Sequence, residues 1–351
     1  MHASLLAELG RIAQAGTTGT IGFAVAHMLQ RGGGSLVPPV GLRTGELFPM
    51  ASTFKVPMAC VVLRMVDEGR MKLTDEIRLS LSDVRPGTGV LSARLLQNGG
   101  ADTPENVHTV QKLLELAMND SDNAATDMLL RLIGGPAAVT EYCRGRGLQQ
   151  LTVCRGCLEH LRDRCGVPPQ RTPAAELLCE PGAPQPSGPE VVDFVAMLEG
   201  KMEVLPLAHL QEADERYDAD PRDQTSPADM NALLQLIWQR QAGLSESSTA
   251  VLLDIMVGCR TGKNRMPGRM PAHVLQQPRA IMHKTGSLGG RSNDVGIVQL
   301  PENRGAIAIA AYAKGPAGPG QTTTAEMYAE RDRVIADLSR ACYDYFLFRD
   351  A

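Results

Sequence analysis

Hydrophobic positions along this chain switch between two periods. Near the N-terminus Leu5, Leu6, Leu9 and Ile12 recur at three and four, the spacing of one helix face. Thr20 to Met28 (TIGFAVAHM) is rich in strand formers and runs into Arg31 to Gly34, which reads as a turn; a second strand is expected near Glu46 to Pro49. From Ser52 to Glu68 the helical period returns through Val56, Ala59, Val62, Leu63 and Val66, which predicts a buried helix. Pro57 is tolerable there only near a helix start, where its ring removes no needed hydrogen bond. Ser52 is thereby placed at the helix N-terminus, where free N–H groups and the dipole favour negative charge.

Val110 to Ile133 splits into two helical stretches with Ser121-Asp122-Asn123 at the joint, and Gly134-Gly135-Pro136 is a stop signal before another helix from Pro136 to Cys143. The pattern then degrades. Cys165 to Gln185 is loop-like, Cys179 to Glu190 is rich in Pro and Gly, Val191 to Gly200 is helical, and Glu212 to Asp223 is an acidic stretch expected to be exposed. A helix resumes at Pro227 behind the N-cap candidate Ser226. Ala280–Lys284, Ser292–Leu300 and Ala306–Ala313 read as three antiparallel strands, and Thr323 with Glu326 forms a capping box opening a last helix through Ile335, Leu338, Cys342 and Phe346.

Strands from both ends of the chain, with helices between, predict an α/β (α+β) two-lobe fold: an antiparallel sheet flanked by helices, plus an all-helical lobe. Residues 1–50 and 226–351 are assigned to the sheet lobe and 51–225 to the helical lobe, which includes an expanded segment at about 150–222. The site is expected in the cleft between them.

Composition changes this picture little. Of 351 residues 43% are hydrophobic and 21% charged, as in ordinary globular chains. A net charge of −4, with no basic cluster interleaved with aromatics, argues against nucleic acid, and no apolar run reaches the roughly 20 residues of a membrane helix. Residues 1–14 lack the basic, apolar and small-residue regions of a leader, and eight cysteines form no regular framework; both fit a reducing, cytoplasmic setting. Cys154, Cys157, His160, Cys165 and Cys179 do not follow a trusted zinc spacing, so unlinked thiols are the better account and no metal or cofactor is expected.

Lysine usage is more telling. There are seven lysines against twenty-eight arginines, yet two of the seven stand in Ser52-Thr53-Phe54-Lys55 and His283-Lys284-Thr285-Gly286-Ser287. Arg cannot give up its proton in a protein, whereas a buried or crowded ammonium can. Positions three apart share a helix face, so Lys55 lies beside Ser52 and could take its proton, helped by a second cation such as Lys284. Ser121 could hand a proton to a leaving nitrogen, and Asn123 could hold a substrate amide. Gly286 would let substrate approach a strand end, where Lys284, Thr285 and Ser287 offer donors to a carboxylate. Alone, each run is equally a helix pair, a turn or a hairpin. Together and in this order they carry the chemistry of a serine hydrolase.

The same segments resemble the class A β-lactamase group of serine hydrolases: Phe48 to Pro57, Met118 to Ala125 with Ile133 to Pro136, Thr225 to Met230, and His283 to Gly286 followed by Asn293 to Ile297. The resemblance implies Ser52 as acylated nucleophile, Lys55 as its base or relay, Ser121 as proton shuttle, Asn123 as amide ligand, and Lys284, Thr285 and Ser287 as carboxylate ligands. The implied partner is a small molecule bearing an amide and a carboxylate. One departure stands out: the family's Glu-x-x-Leu-Asn, which clamps the deacylating water, has no counterpart, for no Asn occurs between Asn123 and Asn231. Glu159, Glu176 and Glu180 are substitutes for the Glu. An intracellular esterase, amidase or peptidase, and a slowly deacylating penicillin-binding sensor, remain alternatives.

Overall fold

The computed structural model describes residues 2–16, 19–29, 31–87, 89–101, 103–167, 187–204, 207–318, 321 and 323–348, with the side chains of 201–204 and 207–211 left aside. Helix α1 (Ala3–Gly16) leads into strands β1 (Thr20–Met28), β2 (Val40–Leu42) and β3 (Phe48–Pro49). A 3-10 turn, Ala51–Phe54, opens α2 (Lys55–Asp67), and β4 (Glu76–Arg78), α3 (Leu91–Gln97) and β5 (Val107–Thr109) follow. The helical middle comprises α4 (Val110–Asn119), α5 (Asn123–Leu132), α6 (Pro136–Arg144), α7 (Cys157–Arg164), α8 (Gly188–Val204) and α9 (Leu207–Ala219). After β6 (Gln224–Thr225) come α10 (Pro227–Trp238), α11 (Glu246–Val257) and α12 (Ala272–Leu275). Strands β7 (Ile281–Leu288), β8 (Arg291–Gln299) and β9 (Ala306–Lys314) then lead to α13 (Thr324–Phe348).

The main sheet is antiparallel with order β2-β1-β9-β8-β7, so the strand after the first helix pairs with the last strand, as the layout predicts. Period-two alternation serves both faces. In β9, Ile307, Ile309 and Ala311 point into the core shared with α1 and α13, while Ala306, Ala308 and Ala310 join the larger core shared with the helices. Helix α10 is tied to the sheet by a fully buried Asn231, whose amide donates to the carbonyls of Ala24 (3.2 Å) and Ala308 (2.7 Å). The expected capping box forms at the last helix, with Thr323 N donating to Glu326 (3.0 Å) and Glu326 N to Thr323 (3.2 Å).

One expectation gains detail, one needs correction, and some fall outside the described residues. The strand near Glu46–Pro49 exists as β3, but it pairs with β6 in a separate ribbon; the sheet's edge is β2. With only three residues, β2 is too short to show a period. The acidic stretch Glu212–Asp223 is not simply exposed: it is largely α9, and Asp223 is buried in an ion pair with Arg155 at 2.6 Å. Charge alone suggested solvent, but distant arginines supplied partners. Residues 168–186, which include Glu176, Cys179 and Glu180, lie outside the described residues. Among those described, no helix is long and apolar enough to cross a membrane.

Candidate active site

Ser52 stands in the 3-10 turn and Lys55 opens α2 directly after it. In a 3-10 turn positions three apart eclipse, so the serine and the lysine stack along one edge. Ala51 is forced to φ +44°, a left-handed conformation costly for a residue with a side chain. The surroundings hold it there. Asn293, from β8, donates to the carbonyls of Pro49 (2.9 Å) and Met50 (3.0 Å) and fastens the approach to Ser52 onto the sheet.

Ser121 also adopts a left-handed φ of +59° at the joint of α4 and α5. Next to it Asp122 caps α5 through Ala125 N (2.9 Å) and accepts from Val90 N (2.7 Å) and Leu91 N (3.0 Å), so the turn is pinned from two sides. This geometry sets the Ser121 hydroxyl between two fully buried ammonium groups: Lys55 Nζ at 3.2 Å and Lys284 Nζ at 3.0 Å. Lys55 also donates to the Ser121 carbonyl (2.8 Å) and to Asn123 Oδ1 (3.0 Å), leaving the Ser52 hydroxyl on the cavity wall. Asn123 in turn donates to Pro86 O at 2.8 Å.

Burial holds Lys55 below the usual ammonium range, against the pull of Cys157, Asp122 and Asp127. Lys284 is brought down to about 7 by burial first and by the charge of Lys55 second. Lys284 can therefore exchange protons near neutral pH, burial biases Lys55 in the same direction, and a shared hydroxyl connects them.

Strand β7 carries Lys284 to Ser287 past Ser52. A Cβ on Gly286 would stand 2.7 Å from Met50 O and 3.1 Å from Ser52 N, so glycine is what lets the strand pass this close. Thr285 Oγ1 meets Thr261 Oγ1 at 2.5 Å, and Ser287 Oγ accepts from Arg265 Nη2 at 2.7 Å. Arg265 further donates to the carbonyls of Gly286 (3.1 Å) and Asn293 (3.0 Å) and pairs with Asp332 at 2.7 Å. Sequence reading passed over Arg265 and Thr261: they lie on an irregular loop far along the chain, and no local pattern announces them.

Ser52, Asn123 and Ser287 line one cavity of about 500 Å³, walled also by Phe54, Pro86, Cys157, His160, Leu161, Glu199, Tyr217 and Leu288. The other predicted residues stand around this wall: Lys55 bonds Asn123, Ser121 joins Lys55 to Lys284, Gly286 passes against Ser52 N, and Thr285 lies between Lys284 and Gly286 on β7. Glu159 does not join them. It caps α7 through Gly156 N (2.6 Å), is pushed up to about 8 by burial, and lines a different cavity with Thr140, Glu141 and Cys154. The carboxylate on the wall of the Ser52 cavity is Glu199 of α8, which accepts from Gly87 N at 3.1 Å. His160 stacks on Phe54 and takes Tyr217 OH at 2.8 Å. Among the described residues no group of His, Cys, Asp or Glu converges as a metal would require.

A family model described as "Beta-lactamase enzyme family" matches residues 5–346. The chain is 25% identical to the extended-spectrum β-lactamase PER-1 of Pseudomonas aeruginosa over 95% of its own length and 84% of that protein's. It is 22% identical to β-lactamase VEB-1 of the same organism, over 86% and 78%. Among solved structures, a class A β-lactamase reconstructed for the last common ancestor of Gram-negative bacteria superposes with TM-score 0.65 at 27% identity, covering 98% of this chain and 100% of that one. A β-lactamase from Chitinophaga pinensis shares the fold with TM-score 0.66 at 24% identity, covering 96% and 97%. With its match running almost end to end over the elements that carry Ser52, Ser121 and Lys284, this chain belongs to the β-lactamase enzyme family.

Proposed function

We propose that this protein is a serine hydrolase that opens the amide of a β-lactam through an acyl-Ser52 intermediate. The observation that carries the reading is the Ser121 hydroxyl held between Lys55 and Lys284, 3.2 and 3.0 Å away, with Lys55 bonded to Asn123 on the wall of the cavity that Ser52 lines. In this reading the substrate carboxylate lies against Lys284, Thr285 and Ser287, with Arg265 behind Ser287. Asn123 holds the side-chain amide. Lys55 takes the Ser52 proton as the oxygen attacks the lactam carbonyl; the C–O bond forms, the C–N bond breaks, and Ser121 returns a proton to the leaving nitrogen. Water then cleaves the ester, and Glu199 is the described carboxylate best placed to activate it. The relatives named above, all β-lactamases, favour this substrate over the ester, peptide and sensor alternatives.

The test is intact mass and turnover with a penicillin and a chromogenic cephalosporin. An acyl adduct or sustained hydrolysis, abolished in Ser52→Ala, is expected. Neither adduct nor turnover with any β-lactam would overturn the reading.

A further inference from the structure

Behind the carboxylate face of the site lies a cluster that the proposed hydrolysis does not use. Cys259 follows the end of α11 and is partly exposed. His283 is a side-chain partner of Cys259, and Nδ1 of its ring meets Asp294 Oδ1 at 2.9 Å. Asp294 is itself fixed by the backbone N–H of Met266 at 3.0 Å. On its other side Cys259 Sγ lies 3.5 Å from Thr261 Oγ1, which meets Thr285. A thiol, an imidazole and a carboxylate are gathered here, one residue along β7 from Lys284 and one hydroxyl away from Thr285.

We propose that Cys259 is a modification site: a thiol activated by the His283–Asp294 pair, which reacts with small electrophiles and peroxides and, once modified, weakens substrate binding at the adjoining carboxylate subsite. The second half rests on the proposed function; the first does not. Burial disfavours charge on both partners, but Asp294 overrides it for His283, which is raised to about 10. That imidazolium, with Lys284 and the Thr261 hydroxyl, brings the Cys259 thiol down to about 7 despite its burial. With a haloacetamide the thiolate forms an S–C bond and halide leaves. With a peroxide an S–O bond forms and the O–O bond breaks; sulfur is oxidised by two electrons, and the departing hydroxide takes a proton from His283. Either product removes an anionic neighbour of Lys284 and crowds Thr261 against Thr285.

The experiment is iodoacetamide labelling of the full chain at pH 7, read site by site by peptide mass, with exposed Cys154 as internal reference. Burial and Asp223 push the Cys154 thiol up. With the thiol lowered at Cys259 and raised at Cys154, Cys259 holds the larger thiolate fraction, and the lower nucleophilicity of a less basic thiolate returns part of that gain. Cys259 should therefore label at least about threefold faster than Cys154, and His283→Gln should remove the advantage. Equal or slower labelling of Cys259 in the wild type overturns the proposal, whatever His283→Gln does to folding. In the second arm, labelled enzyme should show KM raised about fivefold or more with a smaller change in kcat, and Cys259→Ser should make the kinetics indifferent to reagent. Fast labelling with unchanged KM overturns the coupling to the subsite. Because labelling is read without substrate, its outcome is independent of whether Ser52 opens a β-lactam.

Discussion

The two walls of the Ser52 cavity are held by different forces. One wall is a polar seam against the larger hydrophobic core: Lys55, Ser121 and Lys284 are buried, joined through the Ser121 hydroxyl, and locked by Asp122 and Asn293. The facing wall, from α7, α8 and α9, adds a ladder of ion pairs to its apolar packing. Arg155 pairs with Asp223 at 2.6 Å and with Asp163 at 2.9 Å, Arg164 with Asp214 at 2.9 Å, and Arg291 with Asp218 at 2.6 Å. A packed seam fixes atoms to the tolerance that proton transfer demands. A ladder of ion pairs fixes a segment in place while leaving its sequence free to vary, because each rung needs only a charge of the right sign within reach.

The sharpest way to break this comparison is at the seam. Ser52→Ala should lower kcat by about 10⁴-fold or more while leaving the thermal transition nearly unmoved, since the side chain lost lies on a cavity wall. A large drop in melting temperature instead would mean that the seam's order depends on Ser52. The ladder is tested by Asp223→Ala, which leaves Arg155 buried without its closest partner. Removing one member of a buried pair costs about 3–5 kcal/mol, readable by urea denaturation. A loss below about 1 kcal/mol would show that packing, not charge, holds the facing wall.

Smaller effects sharpen the division of labour. Glu199→Gln should slow breakdown of the acyl adduct by about 10²-fold while the first-turnover burst is preserved, as for a general base acting only on water. An unchanged adduct lifetime would move that role elsewhere. The smallest effect comes from Lys284. With its ammonium at about 7, KM for a carboxylate-bearing substrate should rise by up to about tenfold between pH 6 and pH 8 as the charge is lost. Stability runs the other way. Between pH 7 and the ordinary lysine range the unfolded chain holds a proton that the folded one does not, so the cost of burying Lys284 is fully present below pH 7 and eases as pH rises. A flat KM profile would remove Lys284 from carboxylate binding.

Much of the seam was legible because its residues announce themselves locally. Ser52 and Lys55 share a turn, Ser121 and Asn123 share a joint, and Lys284 to Ser287 sit on one strand, so motif and period place each pair without knowledge of the fold. The facing wall was not legible. Helices α7 and α9 carry many charged residues and little apolar periodicity, and they form because arginines and aspartates from distant positions neutralise each other. Glu159 illustrates the limit: proximity in sequence to the altered segment made it a candidate base, yet it caps its own helix and faces another cavity.

The chain by itself determined the main element types, a sheet drawing strands from both of its ends, and three short runs of candidate reactive side chains, because these are written in local spacing, hydrophobic period and element order. Only the tertiary structure decided that one hydroxyl bridges two buried lysines, that Arg265 stands behind Ser287, and that Cys259, His283 and Asp294 are gathered together. Those facts depend on which distant groups share a buried, low-dielectric space. There a few ångströms set both proton affinity and reactivity, and no spacing along the chain encodes them.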